Sequence, residues 1–472
     1  MKKTTIDKEK LFVIRRAVKK LMTDMANAER IAETNRGQLL YCEPQKVWYF
    51  WDCKRWVRDE ILEATRRAKA VVESLMHEAE SIPDPQRRAT ILKHATQCQS
   101  VSRITAMLRL ASAEEGFQVL PSQFDNDPWL LNLDNGVLDL RATKLLPHNP
   151  DFLMTKIANV EFDPHAECPL WESFLERITN ENQDLIDFFQ RVVGYLLTGD
   201  VSEQALFILH GYGANGKTVF LETVKALLGD YSVILPHDLL VDKKFTQHPA
   251  GLAELAGKRA ALASEIEIGS KFSEALVKLL TGGDTVKARR LYENFWEFVP
   301  SHKILLAANT KPYVHGQDHG FWRRIKLIPF EVTIPAEQQD KRLTEKLRRE
   351  LPGILAWAVR GCILWKKGGL REPQSVVFAT QKYRSEMDTL GQFITETCDI
   401  NPHSEVLFSD LFSEYGTWCE ANNSTQMSRK AFAMALEERG YASRHTRVGN
   451  VRSGLVIKSA TSFNEADDEI DF

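Results

Sequence analysis

Gly211-Tyr212-Gly213-Ala214-Asn215-Gly216-Lys217-Thr218 completes the pattern G-x-x-x-x-G-K-[ST]. The short apolar run Ala205-Leu206-Phe207-Ile208-Leu209-His210 precedes it and predicts a buried strand. After it, Val219 to Leu228 carries apolar residues at helical spacing. Strand, glycine loop, helix is the setting in which successive backbone N–H groups can cradle phosphates. Gly211, Gly213 and Gly216 let the backbone curl, and Ala214 and Asn215 complete the loop. The helix beyond adds the positive end of its dipole. Lys217 is expected to reach the β- and γ-phosphates, and the Thr218 hydroxyl to bind Mg²⁺. The motif therefore implies a nucleoside triphosphate, taken as ATP, with Mg²⁺.

The rest of the chain sets bounds. Its 472 residues suffice for roughly three domains. Hydrophobic residues make up 43% and charged residues 26%, an ordinary globular balance. A net charge of −3 says nothing by itself about a polyanionic partner, so local patches must decide. No apolar run approaches the ~18 residues of a membrane span. The basic start Met-Lys-Lys lacks the apolar segment of a signal peptide. Seven scattered cysteines without a C-x-x-C pair suggest reduced thiols in a cytoplasmic protein and no zinc site.

Organisation follows from changes in pattern. Residues 1–120 read as a helical accessory region, broken by the strand-like Trp48-Tyr49-Phe50-Trp51. The helices over 56–113 are rich in Arg and Lys, which fits either a solvated face or a nucleic-acid-facing surface. Residues 121–165 read as a β-rich connector, with Asn135-Gly136 between apolar residues as a hairpin signal. A helical segment over 166–200 leads into the α/β region at 201–367, where strands and helices alternate as in a parallel sheet. Residues 368–388 form a helical linker. Residues 389–458 hold two helices and then two strands around Val448-Gly449-Asn450, the pattern of a winged helix. Gly440 is placed to end the second helix. Arg429, Lys430, Arg444, His445, Arg447 and Arg452 would give that domain a basic, DNA-binding surface. The last stretch, 459–472, is acidic and expected to be disordered.

Downstream of the phosphate loop, Lys258 to Glu267 reads as a short apolar strand ending in two carboxylates, Glu265 and Glu267. A hard oxygen ligand for the metal and a base for the attacking water are both needed near the phosphates. Glu265 is assigned to the metal and Glu267 to the water, an order that could be reversed. Residues 285–298 read as two arms around the tip Tyr292-Glu293-Asn294, with Lys287, Arg289 and Arg290 as candidate contacts to a phosphate backbone. The strand His302 to Ala308 ends in Asn309, placed to orient the attacking water. Arg323 and Arg324 precede a further apolar strand, and an arginine supplied across a subunit interface can stabilise phosphoryl-transfer charge.

This ordered set resembles the superfamily 3 helicases, the ring-forming AAA+ motors of small viruses, phages and plasmids. The likeness lies in the phosphate loop, the two-glutamate strand, Thr281-Gly282-Gly283-Asp284 with Lys287-Ala288-Arg289, and Ala308-Asn309. More narrowly the chain is similar to the phage and plasmid primase–helicase family related to the poxvirus primase–helicase. That narrower likeness rests on Leu131 to Leu140, Pro147 to Pro150, Gly353 to Gly361 and Tyr383 to Asp388. The resemblance implies an AAA+ motor core, and a homo-hexamer with ATP sites between subunits. It also implies single-stranded and forked DNA as substrate, and a setting in a bacterial host close to the nucleoid. Arg324 is then the first candidate for the arginine finger and Arg323 the second. Larger members add a primase domain. No carboxylate cluster before residue 120 suggests one, so a separate primase is the expected partner. The end, Asp467 to Phe472, resembles the acidic Phe-terminated tip of bacterial single-stranded-DNA-binding proteins, which implies host replication proteins as partners. Two other functions fit part of the pattern: an origin-binding initiator switched by ATP, and a small-molecule kinase.

Overall fold

The computed structural model describes residues 22–236, 238–242, 249–264, 269–289, 295–314 and 316–458. Glu265, Glu267 and Arg290, the hairpin tip, and the expectations for residues 1–21 and 459–472 lie outside the described residues. The chain forms two compact units, residues 1–312 with 323–377, and residues 313–322 with 378–472.

The first unit opens with α1 (Asp24–Thr34), capped by the Thr23 hydroxyl on the Ala26 N–H at 3.2 Å. An antiparallel meander follows, β1 (Leu39–Cys42), β2 (Val47–Trp51) and β3 (Trp56–Arg58). Helices α2 (Glu63–Glu80), α3 (Pro85–Cys98) and α4 (Val101–Ala111) then close a small core around Ile31, Val71, Val72 and Met107. The connector is a second meander, β4 (Leu130–Leu133), β5 (Gly136–Asp139) and β6 (Lys144–Leu146). Its first turn is the two-residue loop Asp134-Asn135. Gly136 follows at φ 151°, where an added Cβ would meet the Leu146 carbonyl at 2.4 Å.

Helices α5 (Pro169–Thr179) and α6 (Gln183–Leu196) lead into an all-parallel sheet. Its strands are β7 (Leu206–His210), β8 (Ser232–Ile234), β9 (Ala260–Ser264), β12 (Lys303–Ala308) and β13 (Ile325–Pro329), in the order β13-β7-β12-β9-β8. Between them lie α7 (Lys217–Leu228), α8 (Pro249–Ala253), α9 (Glu274–Thr281) and a hairpin of β10 (Val286–Ala288) and β11 (Trp296–Phe298). Helices α10 (Leu343–Arg349) and α11 (Leu351–Gly368) complete the unit. β7 and β12 are buried along their length, which is why they read as unbroken apolar runs rather than alternating ones. One core joins α5, α6, α7 and α11 to the sheet. Where α6 crosses α11 the backbones nearly touch: a Cβ on Gly194 would lie 2.1 Å from the Cys362 nitrogen, and one on Gly361 would lie 1.9 Å from the Gln190 carbonyl oxygen.

Buried helix ends leave carbonyls that need donors. Here cations supply them. Arg191 donates to the Leu364 carbonyl near the end of α11 at 2.6 Å. Arg259 donates to the carbonyls of Leu197, at the end of α6, and Leu130, and lies 4.4 Å over the Tyr231 ring. Lys303 donates to the Thr198 carbonyl and sits 4.7 Å over the Tyr195 ring. The negative ends of two helix dipoles favour these charges. The Tyr231 hydroxyl accepts from the Asn132 N–H at 3.1 Å, so Arg259 and Tyr231 together fasten the connector to the sheet.

Beside Lys303, His302 is 1% exposed and neither ring nitrogen has a partner among the described residues. Burial, with the Lys303 charge added, holds its pKa down at about 3. The unfolded chain takes up this proton near pH 6.5 and the native state does not, so stability falls as pH drops from about 6.5 towards 3. Between pH 7.5 and 5 we expect a loss of about 2 kcal/mol from this group. Urea unfolding at both pH values checks it. His302→Met should remove that part of the pH dependence, and equal losses in variant and parent would refute it.

The second unit holds the C-terminal part of α12 (Gln374–Glu386), then α13 (Thr389–Thr397), β14 (Cys398–Leu407), α14 (Phe408–Ala421), α15 (Arg429–Glu438), β15 (Ser443–Thr446) and β16 (Gly449–Ile457). The strands pair antiparallel in the order β14-β16-β15 around a core of Phe393, Leu411, Tyr415 and Phe432. As expected, Gly440 ends α15. It adopts φ 90°, its N–H bonds the Glu437 carbonyl at 2.9 Å, and the Tyr441 N–H bonds that of Leu436 at 3.0 Å, a Schellman closure.

Candidate nucleotide-binding site

All five strands of the main sheet run the same way, so their C-terminal ends share one edge. In open α/β sheets that edge forms the ligand crevice. The phosphate loop leaves it from β7, between β12 and β13. Both neighbours anchor it: the Gly211 N–H donates to the Ala308 carbonyl at 3.3 Å, and the Phe330 N–H to the His210 carbonyl at 2.7 Å. Asn215 is 3% exposed and ties the loop across, its amide donating to the carbonyls of Tyr212 at 2.6 Å and Phe330 at 3.2 Å.

Two glycines are required sterically. A Cβ on Gly211 would lie 2.1 Å from the Phe330 carbonyl oxygen. Gly216 has φ 88° and would drive a Cβ to 2.7 Å from Ile178 and 3.0 Å from the Phe174 ring. These side chains belong to α5, so the helices before the sheet form the floor of the loop. Trp171 of α5 stacks on Phe220 of α7 at 5.6 Å, and Phe189 of α6 lies 4.9 Å from Phe220 and 5.7 Å from Phe330.

The loop fits an anion. Among the described residues, none makes a hydrogen bond with the backbone N–H groups of residues 212–217. Six such donors around one concavity form a nest for phosphate oxygens. Lys217 is buried, and its ammonium donates to the Gly211 carbonyl at 2.5 Å and to the Asn215 side-chain oxygen at 3.0 Å. Burial lowers its pKa. A phosphate in the loop would replace weak carbonyl acceptors with a charged one and favour the ammonium form. Gly213, Ala214 and Thr218 are exposed at the mouth, with Thr218 in the first turn of α7, where a loop-bound metal would meet its hydroxyl.

The other candidate residues sort by sheet edge. Asn309 is exposed directly after β12, whose last residue Ala308 pairs with His210, so it shares the edge of the phosphate loop. β9 ends at Ser264 on the same edge, immediately before the stretch that holds Glu265 and Glu267. Arg323 and Arg324 lie at the other edge. Ile325, the first residue of β13, pairs with Leu206, and the Arg324 carbonyl accepts from the Leu206 N–H at 2.8 Å. A five-residue strand puts about 17 Å between the two edges. Arg323 is exposed and donates to the Gln204 side chain, while Arg324 is half-buried. Neither reaches the phosphate loop of its own chain.

The arms of the hairpin pair as expected, Lys287 opposite Glu297 and Val286 opposite Phe298. Val286 and Ala288 face inward, whereas Lys287 and Arg289 are exposed. Lys287 lies 3.5 Å from Glu297, and the Arg289 guanidinium lies 4.9 Å over the exposed Phe295 ring. In the second unit Arg429, Lys430, Arg444 and Arg447 are exposed, with Arg444 paired to Glu405 at 2.6 Å. Arg452 is a correction. Its side chain is 4% exposed, bonded to Glu437 at 2.9 Å and to the carbonyls of Tyr441 and Ala433 at 3.2 Å. It supports α15 from within and is not part of the basic surface. No local pattern marks the floor under Gly216 or the Phe330 carbonyl that closes the loop, because both are tertiary contacts.

The fold and site define a phosphate-loop α/β protein, with a complete anion nest on a parallel sheet. Family models narrow this. Residues 28–180 match "D5 N terminal like", and residues 209–324 match a family of unknown function. A putative helicase of Acanthamoeba polyphaga mimivirus is 29% identical over 324 residues, covering 63% of this chain and 34% of that protein. A putative helicase of Frog virus 3 is 28% identical, covering 50% of this chain and 26% of that protein. A putative primase of African swine fever virus is 27% identical, covering 63% and 34%. The chain therefore spans about a third of the length of the curated relatives it matches. Among solved structures, the apo NrS-1 C terminal region aligns over 89% of this chain and 96% of that one, at 9% identity and a TM-score of 0.49. Residues 28–180 are thus similar to the D5 N-terminal-like family, and the relatives named above as putative helicases or primases come from large DNA viruses. Those relatives come from viruses of eukaryotes and do not carry the bacterial setting expected from the resemblance. No described helix is long and apolar enough to cross a membrane.

Proposed function

We propose that the chain is an ATP-driven DNA helicase of superfamily 3, an AAA+ motor that works as a homo-hexameric ring on single-stranded and forked DNA. One observation carries the reading: the anion nest and the arginine pair sit on opposite edges of one sheet. A subunit whose arginines cannot reach its own nucleotide can serve a neighbour's, and a ring gives every subunit such a neighbour. In this reading Lys217 and the loop hold the triphosphate, Mg²⁺ on Thr218 and Glu265 offsets its charge, and Glu267 and Asn309 orient the water. Arg324, or Arg323, arrives from the next subunit. Lys287, Arg289 and Arg290 grip the strand. The second unit acts as a winged helix that holds DNA through Arg429, Lys430, Arg444 and Arg447. A separate primase, and host proteins reached through Phe472, remain partners in the proposal.

Mixing two inactive variants tests the shared site. Lys217→Ala and Arg324→Ala should each lack hydrolysis alone. Mixed rings should regain a fraction of it, because some interfaces pair an intact loop with an intact arginine. No recovery with either Arg324→Ala or Arg323→Ala would refute the shared site. Strand displacement on a forked duplex then separates a helicase from an ATP-switched initiator, which would hydrolyse ATP without displacing the strand.

A further inference from the structure

The nucleotide site leaves helices α3 and α4 without a role. From Pro85 to Ser112 the chain carries Arg87, Arg88, Lys93, Arg103 and Arg109 and no Asp or Glu. At the chain's average, 64 carboxylates in 472 residues, such a stretch would hold about four. All five cations are exposed. Of the nearby acids, Glu114 and Glu115 follow shortly after Ser112, and three others already have partners. Asp84 caps α3 through the Gln86 N–H at 3.0 Å, Asp24 pairs with Arg103 at 2.7 Å, and Glu63 holds Arg66 and Arg67 at 3.0 and 2.9 Å. Arg88 spends its guanidinium on the Ile82 carbonyl at 2.7 and 3.0 Å. Arg87, Lys93 and Arg109 have no ion-pair partner among the described residues.

Their positions oppose local stability. Arg87 and Arg88 occupy the first turn of α3. The helix dipole there is positive and favours acids, so two arginines cost helix stability rather than add to it. Pro85 and the Asp84 cap show that this helix start is otherwise well made. Core packing does not account for them either. Ile91, His94, Ala95 and Cys98 form the buried stripe of α3; Lys93 lies off it, and Arg87, in line with it, is exposed at the helix start.

We infer that the outer surfaces of α3 and α4 form a second contact for the nucleic-acid phosphate backbone, with Arg87, Lys93 and Arg109 as its free cations. The contact is electrostatic and independent of base sequence, since nothing on it is arranged to read base edges. It would hold the strand at a point separate from the nucleotide site. The inference rests on the reading of the chain as a nucleic-acid protein but not on its being a motor.

The test uses the full chain with Arg87→Gln, Lys93→Gln and Arg109→Gln combined, all exposed changes that leave folding intact. Fluorescence anisotropy with a labelled single-stranded oligonucleotide is followed across a salt series without nucleotide. Loss of three phosphate contacts should make the slope of log affinity against log salt shallower by roughly 2. Affinity should fall about 10-fold, while hydrolysis without DNA stays unchanged. Arg66→Gln, which removes a cation already paired with Glu63, is the control and should leave the slope as it is. An unchanged slope in the triple variant overturns the inference. So does a triple variant that loses binding to labelled polyglutamate but not to DNA, which would make the surface a protein-docking site. The motor reading fails separately: if the parent chain displaces no strand yet the triple variant shows the shallower slope, the motor falls and the surface stands.

Discussion

Lys217→Ala is expected to lower the rate of ATP hydrolysis by at least about 10²–10³-fold, the usual loss when one preorganised charge partner of a reacting group is removed. In the structure the ammonium is enclosed by the loop it serves, on Gly211 and Asn215, and among the described residues no other cation donates to these two groups. Its removal also relieves a desolvated charge, because burial already lowers its pKa. The fold should therefore survive, with a melting temperature equal to or above the parent's. Binding to single-stranded DNA without nucleotide should stay within about two-fold, since neither the second unit's arginines nor α3 and α4 involve this residue. Steady-state phosphate release, melting and anisotropy on one preparation check all three. Hydrolysis within 10-fold of the parent would remove the basis for the assigned nucleotide site.

Gly361→Ala is expected to cost the fold about 3 kcal/mol or more, at the upper end of the range for overpacking. The added methyl would lie 1.9 Å from the Gln190 carbonyl oxygen and 2.6 Å from its carbon. Those atoms are backbone, and α6 cannot yield without moving Arg191 off the end of α11. The damage should spread to the nucleotide site, since α5 and α6 form the floor beneath Gly216. Gly213→Ala provides the contrast. It has open space around its would-be Cβ, and its stability should change by less than about 0.5 kcal/mol. Equal unfolding midpoints for the two variants would show that α6 and α11 can part without loss.

Much of this was legible in the sequence, for identifiable reasons. The phosphate loop is a local pattern, and its flanks carried enough apolar periodicity to place it between β7 and α7. The hairpin arms and the Gly440 helix end were readable because pairing and φ sign depend on near neighbours. β14 was missed. It contains Asn401-Pro402-His403-Ser404, its register slips between Ile400 and Glu405, and most of it is exposed, so neither alternation nor apolarity marks it. Arg452 was misplaced because charge alone does not tell a surface arginine from one that fills a core. Arg191, Arg259 and Lys303 were not recognised as internal helix caps, since each acts on a carbonyl far away in sequence. What sequence conveys poorly here is where cations go once the chain has folded.

That has a consequence for how the protein meets a polyanion. Among the described residues, the charged residues buried as a whole are Arg191, Lys217, Arg259, Lys303 and Arg452, whereas the buried Asp125 carboxylate is paired with Lys156. Burial keeps these five cations from contact with a DNA backbone, while the distant field follows the whole chain's formal charge of −3. At a distance beyond the Debye length of about 8 Å the molecule offers DNA no attraction, and at low salt it offers repulsion. Capture cannot begin with long-range steering. It must begin with near collisions at the few places where cations outnumber acids, so encounter rates should rise, not fall, as modest salt is added.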